Sequence, residues 1–421
     1  MNYLLHQRGK NYCLNKYFLF GFLVSLSIIS SDYIRYSLGI GIVDKIVIFL
    51  IFMCGVINLI QNSKRVKVTT GLLFIIFPIF IILLHSFYSL FFVSPMAVLY
   101  EMFRLFYGIV FFIYISGLSG IQADKFVAGV LYAAVSFLII NSTIIMAQFI
   151  VSPDIIKYFG MPSVLWTSNE KIGRWIGLFG NLPAYSITLV VLFILSTIMG
   201  FKKRSYYIFL AACIALSTSK TALIIFILVV IFLYFKPSLG KMLFITITTL
   251  AIGFMLYTDD SVANKIQQIS NLILSISNFS SSSHTFYTLD NSIDWRFNNI
   301  LTSINIFMNN GFGLGMGTWG DFSSTFNQKQ LPSFIRPVDM ADSYFAHLLA
   351  ELGVISFIYI FLVVIIVRKA IPNTRIFCAL TTVIIFSFLT TMGFSDSVWP
   401  LYFFITVAYL SSRNKNYALS E

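Results

Sequence analysis

Residues 126–150 read FVAGVLYAAVSFLIINSTIIMAQFI, with no Asp, Glu, Lys or Arg among them. A helix of about 20 consecutive apolar residues crosses the hydrocarbon core of a bilayer, so this stretch predicts a membrane span. Working outward, similar runs fall at 17–31, 42–60, 71–92 and 97–118 upstream. Downstream they fall at 183–200, 206–216, 222–235, 242–257, 344–367, 376–392 and 399–410. The 421 residues are 58% hydrophobic and only 10% charged, where a soluble domain carries about 25% charged residues. The prediction is an all-α polytopic membrane protein with about 12 transmembrane helices, forming a single membrane domain over residues 1–421. The first apolar run follows a basic segment and has no small-residue cleavage site after it, so it reads as a retained helix.

The formal charge is +12, but the basic residues collect in short connectors, where they set orientation. With the N-terminus in the cytoplasm and the spans alternating, Lys64, Arg65 and Lys67 fall inside. So do Lys202, Lys203 and Arg204, then Arg368, Lys369 and Arg375. That bias predicts both termini on the cytoplasmic side, and it leaves no surplus pointing to a nucleic-acid partner. The same count puts the one long polar segment, 258–344 between helices 9 and 10, on the outer face. Long connections without structure of their own are commonly functional. Cys13, Cys54, Cys213 and Cys378 are scattered without a CxxC pair, and the four histidines are scattered too. This spacing predicts neither a disulfide nor a metal site, and no cofactor motif is present.

Several outward-side cations are not needed for topology. Arg174 precedes a glycine-rich turn, Gly177-Leu-Phe-Gly-Asn181, that leads into a helix. Exposed backbone N–H groups at such a place suit an anion. Lys220 lies in a polar break, Leu216-Ser-Thr-Ser-Lys-Thr221, at membrane depth or the outer interface, where ionisable groups are costly. Arg296 and Arg336 lie in the long loop. Converging Arg and Lys groups suit a phosphate or diphosphate. The plainer readings are a headgroup anchor for Arg174, a snorkelling Lys220, packing of Arg296 on Trp295, and a solvated turn at Arg336.

Acid–base candidates cluster where the loop ends. Asp342 precedes a helix, and His347 and Glu351 follow at a spacing of four that puts them on one face. The plainer readings are a helix N-cap for Asp342 and a structural pair for His347 and Glu351. Glu101 and Arg104, three apart, read as an internal ion pair. His85 reads as a satisfied core histidine. Gly311-Phe-Gly-Leu-Gly-Met-Gly317 lacks the preceding strand of a dinucleotide fingerprint and reads as a tight turn. Trp166, Trp175, Trp295 and Trp319 read as aromatic residues of outer loops.

Four stretches together resemble the O-antigen polymerase and ligase superfamily. They are Arg174-Trp-Ile-Gly-Leu-Phe-Gly-Asn-Leu-Pro183, Leu216-Ser-Thr-Ser-Lys-Thr-Ala222, Arg296 through Gly311–Thr318, and Asp342-Ser-Tyr-Phe-Ala-His-Leu-Leu-Ala-Glu-Leu-Gly353. Lys220 stands where the family usually has Arg. Asp342-Ser343 stands where the ligase branch has a His-Asn type pair, a departure that favours the polymerase branch.

The resemblance implies a glycosyltransferase of the bacterial inner membrane, acting in lipopolysaccharide biosynthesis on its periplasmic face. Its substrate would be an oligosaccharide repeat on undecaprenyl diphosphate. The growing glycan would pass to the non-reducing end of an incoming lipid-linked repeat. Arg174, Lys220, Arg296 and Arg336 would hold the diphosphate, one of Asp342, His347 or Glu351 would take the acceptor's proton, and Trp166, Trp175, Trp295 and Trp319 would stack on sugars. Partners would be the bilayer, the lipid-linked glycan and a membrane protein that regulates chain length. The alternatives are a ligase or other lipid-linked glycosyltransferase, and a lipid-linked oligosaccharide flippase. A flippase should line a central cavity with charge and have short loops.

Overall fold

The computed structural model describes residues 15–39, 43–61, 70–91, 93–161, 177–179, 182–200, 204–216, 220–234, 291–319, 343–390 and 398–417. Among these residues the regular structure is helical throughout, with no strand. The chain begins with α1 (Lys16–Ile29), α2 (Ser31–Leu38), α3 (Val43–Gln61), α4 (Thr70–Ser89), α5 (Pro95–Ser116) and α6 (Gly120–Ile150). A 3₁₀ segment, Pro153–Phe159, follows. Then come α7 (Leu182–Ile198), α8 (Arg204–Leu216), α9 (Lys220–Tyr234), α10 (Asn291–Asn309), α11 (Tyr344–Leu352), α12 (Val354–Ala370), α13 (Thr374–Thr390) and α14 (Trp399–Tyr417).

The stretch 126–150 is the second part of α6, which starts earlier at a capping box. There the Ser119 side chain takes the Gln122 N–H while Gln122 reaches back to the Ser119 N–H. Such reciprocal capping satisfies two of the donors that a helix start leaves open. Within α6, Gly120–Gln148 is long and apolar enough to cross a membrane by length and composition. It is the one such run among the described residues; the other apolar helices, such as Ala184–Ile198 and Thr374–Leu389, are shorter.

Helix α1 lies directly on α6. A Cβ at Gly21 would overlap the backbone carbonyl of Phe126, and one at Gly129 would overlap that of Phe18. Small residues at a crossing let two backbones approach in this way. Tyr402 of α14 closes the group through its hydroxyl, 2.7 Å from Ser25 Oγ. The outer face of α3 presents Ile46, Phe49, Leu50, Met53 and Ile57 as exposed side chains, while Ser25, Asn141, Gln148, Ser186 and Thr188 are buried. Apolar groups outside and polar groups inside reverse the arrangement of a water-soluble surface, in keeping with a helical membrane protein.

Three boundaries differ from the sequence expectation. The polar segment 258–344 carries the helix α10, whose face at Ile300 and Ile306 packs with Trp319 against Ala346 and Ala350 of α11. Its sparse apolar positions hid a helix that is amphipathic, not apolar. The single span expected at 344–367 is broken at Gly353 (φ 57°) into α11 and α12. There the backbone lies so close to Gly311 and Gly313 that no side chain fits. Lys220 opens α9, two residues before the expected start at 222. The expected span 242–257 and the connector 62–67 lie outside the described residues.

Candidate functional site

The glycine turn is the element that assembles the site. After α10 the chain turns through Gly313 (φ 77°), Gly315 (φ 97°) and Gly317 (φ 82°), a left-handed conformation that side chains disfavour. The turn is fastened on three sides. On α11, the Leu314 N–H donates to the Ala350 carbonyl at 2.8 Å and the Gly315 N–H to the Glu351 carbonyl at 3.0 Å. At the start of α12, the Val354 N–H returns a bond to the Gly311 carbonyl at 2.8 Å. On α4, Ser89 Oγ accepts the Met316 N–H at 2.8 Å, and His85 Nε2 lies 3.1 Å from the Phe312 carbonyl. His85 is thus the satisfied core histidine expected of it. On α5, a Cβ at Gly317 would come within 2.8 Å of Ala97.

Ala97 lies one turn before Glu101 on α5, and the turn therefore brings Glu101 to the face of α11. His347 Nε2 is 3.4 Å from Glu101 Oε2 and 3.5 Å from Glu351 Oε2. All three residues are buried, at 3%, 5% and 3% exposure for Glu101, His347 and Glu351. The other Glu351 oxygen accepts the Trp319 backbone N–H at 2.9 Å. The imidazole of His347 is stacked by Tyr344, which meets Phe388 edge-on. Helix α11 starts from Ser343, whose hydroxyl caps the Ala346 N–H and donates to the Phe388 carbonyl. The N-cap is therefore one residue later than Asp342.

Buried ionisable groups are expensive unless they meet one another. A buried Glu–His–Glu group can hold and pass a proton, or collect positive charge. Of the sequence candidates, His347 and Glu351 come together here. Lys220 and Arg296 are placed in backbone only, Lys220 at the first residue of α9 and Arg296 in the first half of α10. Arg174, Arg336, Asp342, Trp166 and Trp175 lie outside the described residues, as do the side chains of Trp295 and Arg104. Trp319 is buried at 4% exposure, against the expectation of a sugar-stacking surface; its backbone positions Glu351.

Sequence reasoning missed Glu101 as a member of this group, having paired it with Arg104. A carboxylate in the middle of an apolar helix was the available signal.

A second glycine turn is described at Gly177–Phe179, just after Arg174. Gln148 accepts the Gly177 N–H at 3.0 Å and Asn141 accepts the Leu178 N–H at 2.6 Å. Both side chains come from one face of α6 and both are buried.

Residues 205–361 match the family model for O-antigen ligase. This ligase-like region runs from the start of α8 into α12, and so contains Lys220, Arg296, the glycine turn, His347 and Glu351. Arg174 and Glu101 precede it. The match supports the O-antigen ligase and polymerase superfamily, whose members are membrane transferases of lipid-linked glycans. Ligase and polymerase fit it equally well. No curated protein matches the chain.

Proposed function

We propose that this chain is a glycan polymerase acting on lipid-linked repeats at the periplasmic face of the bacterial inner membrane. The growing glycan leaves undecaprenyl diphosphate and joins the non-reducing end of an incoming lipid-linked repeat. The acceptor hydroxyl oxygen bonds to the anomeric carbon of the donor. The bond from that carbon to the diphosphate oxygen breaks, and the diphosphate leaves with the electron pair. The hydroxyl proton goes to the Glu101–His347–Glu351 group. Arg174, Lys220, Arg296 and Arg336 hold the diphosphate and neutralise the charge that grows on it. Asp342, directly before Ser343, is the other candidate base.

The observation that carries this reading is the buried Glu–His–Glu group, two of whose members, His347 and Glu351, lie in the stretch that matches the O-antigen ligase family. It supplies the proton acceptor that transfer needs and water cannot easily reach. The polymerase branch is preferred over the ligase because Asp342-Ser343 replaces the ligase branch's His-Asn type pair. The ligase reading keeps its place through the description of the matching family.

The test is purified protein in liposomes with a polyprenyl-diphosphate-linked oligosaccharide as sole substrate, then with a lipid A–core acceptor added. A ladder of lengthened lipid-linked glycan without the second acceptor is the expected result. Transfer only onto lipid A–core would make the chain a ligase. Movement of the substrate across the vesicle without either product would make it a transporter.

A further inference from the structure

We propose that the Asn299 side chain binds a sugar hydroxyl of the lipid-linked glycan and so positions that sugar beside the Glu101–His347–Glu351 group. Asn299 lies on α10 and is buried, at 7% exposure. Its Nδ2 is closed off from solvent and meets no hydrogen-bond acceptor among the described residues. Leaving a buried amide donor unpaired costs folding free energy, so an orphan of this kind calls for a purpose.

The position of this donor follows from the packing of α10. Asn299, Ser303 and Ile306 follow one another at a helical spacing that sets them on one face, and all three are buried. Ile306 of that face packs against Ala346 and Ala350, the α11 residues that directly precede His347 and Glu351. The C-terminal ends of the two helices meet, through the Val354 N–H on the Gly311 carbonyl and the Leu314 N–H on the Ala350 carbonyl. The helices therefore run side by side in the same direction. At 1.5 Å per residue, Asn299 is about 18 Å back from Gly311, and His347 about 10 Å back from Val354. The amide is thus about one and a half turns from the level of His347, a gap on the scale of one sugar ring. It lies toward Ser343, where the polar segment 258–344 joins α11.

The chemistry of the side chain favours a sugar over the diphosphate. An amide both donates and accepts, as a hydroxyl does; a diphosphate only accepts and is met best by cations. The neighbouring Glu–His–Glu group takes its proton from a sugar hydroxyl, so a sugar must lie beside it. Asn141 has a similar unpaired Nδ2, but its oxygen is committed to the Leu178 N–H of the other glycine turn. This inference deepens the reading above and rests on it for the identity of the glycan.

The experiment uses the full-length protein in detergent and measures the binding of two probes. One is a polyprenyl-diphosphate-linked oligosaccharide; the other is the same polyprenyl diphosphate without sugar. Asn299→Leu keeps the size of the side chain and removes the amide. It should weaken binding of the glycan probe about 10-fold or more and leave binding of the bare diphosphate unchanged. No bond within the protein is lost, so the unfolding temperature without ligand should hold or rise. Asn299→Ala should weaken the glycan probe in the same way, while Asn305→Ala, exposed on the same helix, leaves both probes unaffected. Equal weakening of both probes would put the amide on the diphosphate and overturn the proposal. Unchanged binding of the glycan probe would overturn it too. So would a fall in the unfolding temperature of Asn299→Leu, which would make the amide a structural group. A protein that binds the glycan probe through Asn299 yet lengthens no glycan would overturn the polymerase reading and uphold this one, so the two fail separately.

Discussion

The two glycine turns invite comparison. Each uses glycine in a left-handed conformation, at Gly177 (φ 56°) and at Gly313, Gly315 and Gly317. Each is gripped by polar side chains that an otherwise apolar helix buries for the purpose. Asn141 and Gln148 of α6 hold the first through neutral amides. Ser89 and His85 of α4 hold the second, which is also tied by backbone bonds to α11 and ends on a carboxylate of the Glu–His–Glu group. The first turn is an anchored entry to α7. The second is a bracket that sets the distance between two helices carrying ionisable groups. A fault in the first should cost stability; a fault in the second should cost stability and chemistry together.

The sharpest way to separate them is charge without shape. Glu351→Gln keeps an oxygen to accept the Trp319 N–H but removes the negative charge. Glycan transfer should fall about 10²–10⁴-fold with the melting temperature of the protein little changed. Single-turnover kinetics and thermal unfolding, run on one preparation, check both halves. Gly313→Ala should break the bracket itself. Its Cβ would run into the Glu351 backbone carbonyl, at a φ of 77°, and left-handed strain plus overpacking cost about 2–5 kcal/mol. Loss of stability and loss of transfer should appear together.

The amide-held turn should give smaller effects of one kind. Asn141→Leu leaves the buried Leu178 N–H without its acceptor, a cost of about 1–3 kcal/mol. Gln148→Met does the same to the Gly177 N–H across a longer bond, at about 1 kcal/mol. Both should lower the unfolding temperature while the pH profile of transfer stays that of the unaltered protein. A changed profile in either would mean the first turn also reaches the reacting groups, and the contrast would fail.

Much of the helical fold was legible in sequence because long, mostly apolar runs without turn residues read as helices. Residues 126–150 could be little else. What was not legible depends on contacts between distant stretches. The helix α10 is amphipathic and sits in a polar segment, so a search for apolar runs passes over it. The break at Gly353 comes from the close approach of Gly311 and Gly313, which no local pattern records. At the site, the i,i+4 spacing of His347 and Glu351 placed them on one face. Glu101 instead had a plausible neighbour in Arg104, three residues on, and local spacing carries no sign of a histidine so far along the chain. Trp319 was misjudged because an aromatic in a polar loop reads as exposed, whereas the fold packs it against Ala346 and Ala350.

The central claim is that Glu101, His347 and Glu351 act as one unit in lipid-linked glycan transfer. Its most direct test is the single-turnover transfer rate of Glu101→Gln, Glu351→Gln and the two combined. Groups that act as a unit are strongly non-additive. The double variant should therefore be no slower than the slower single variant, both lying far below the unaltered protein. Losses that multiply, or a Glu101→Gln rate equal to that of the unaltered protein, would contradict the account.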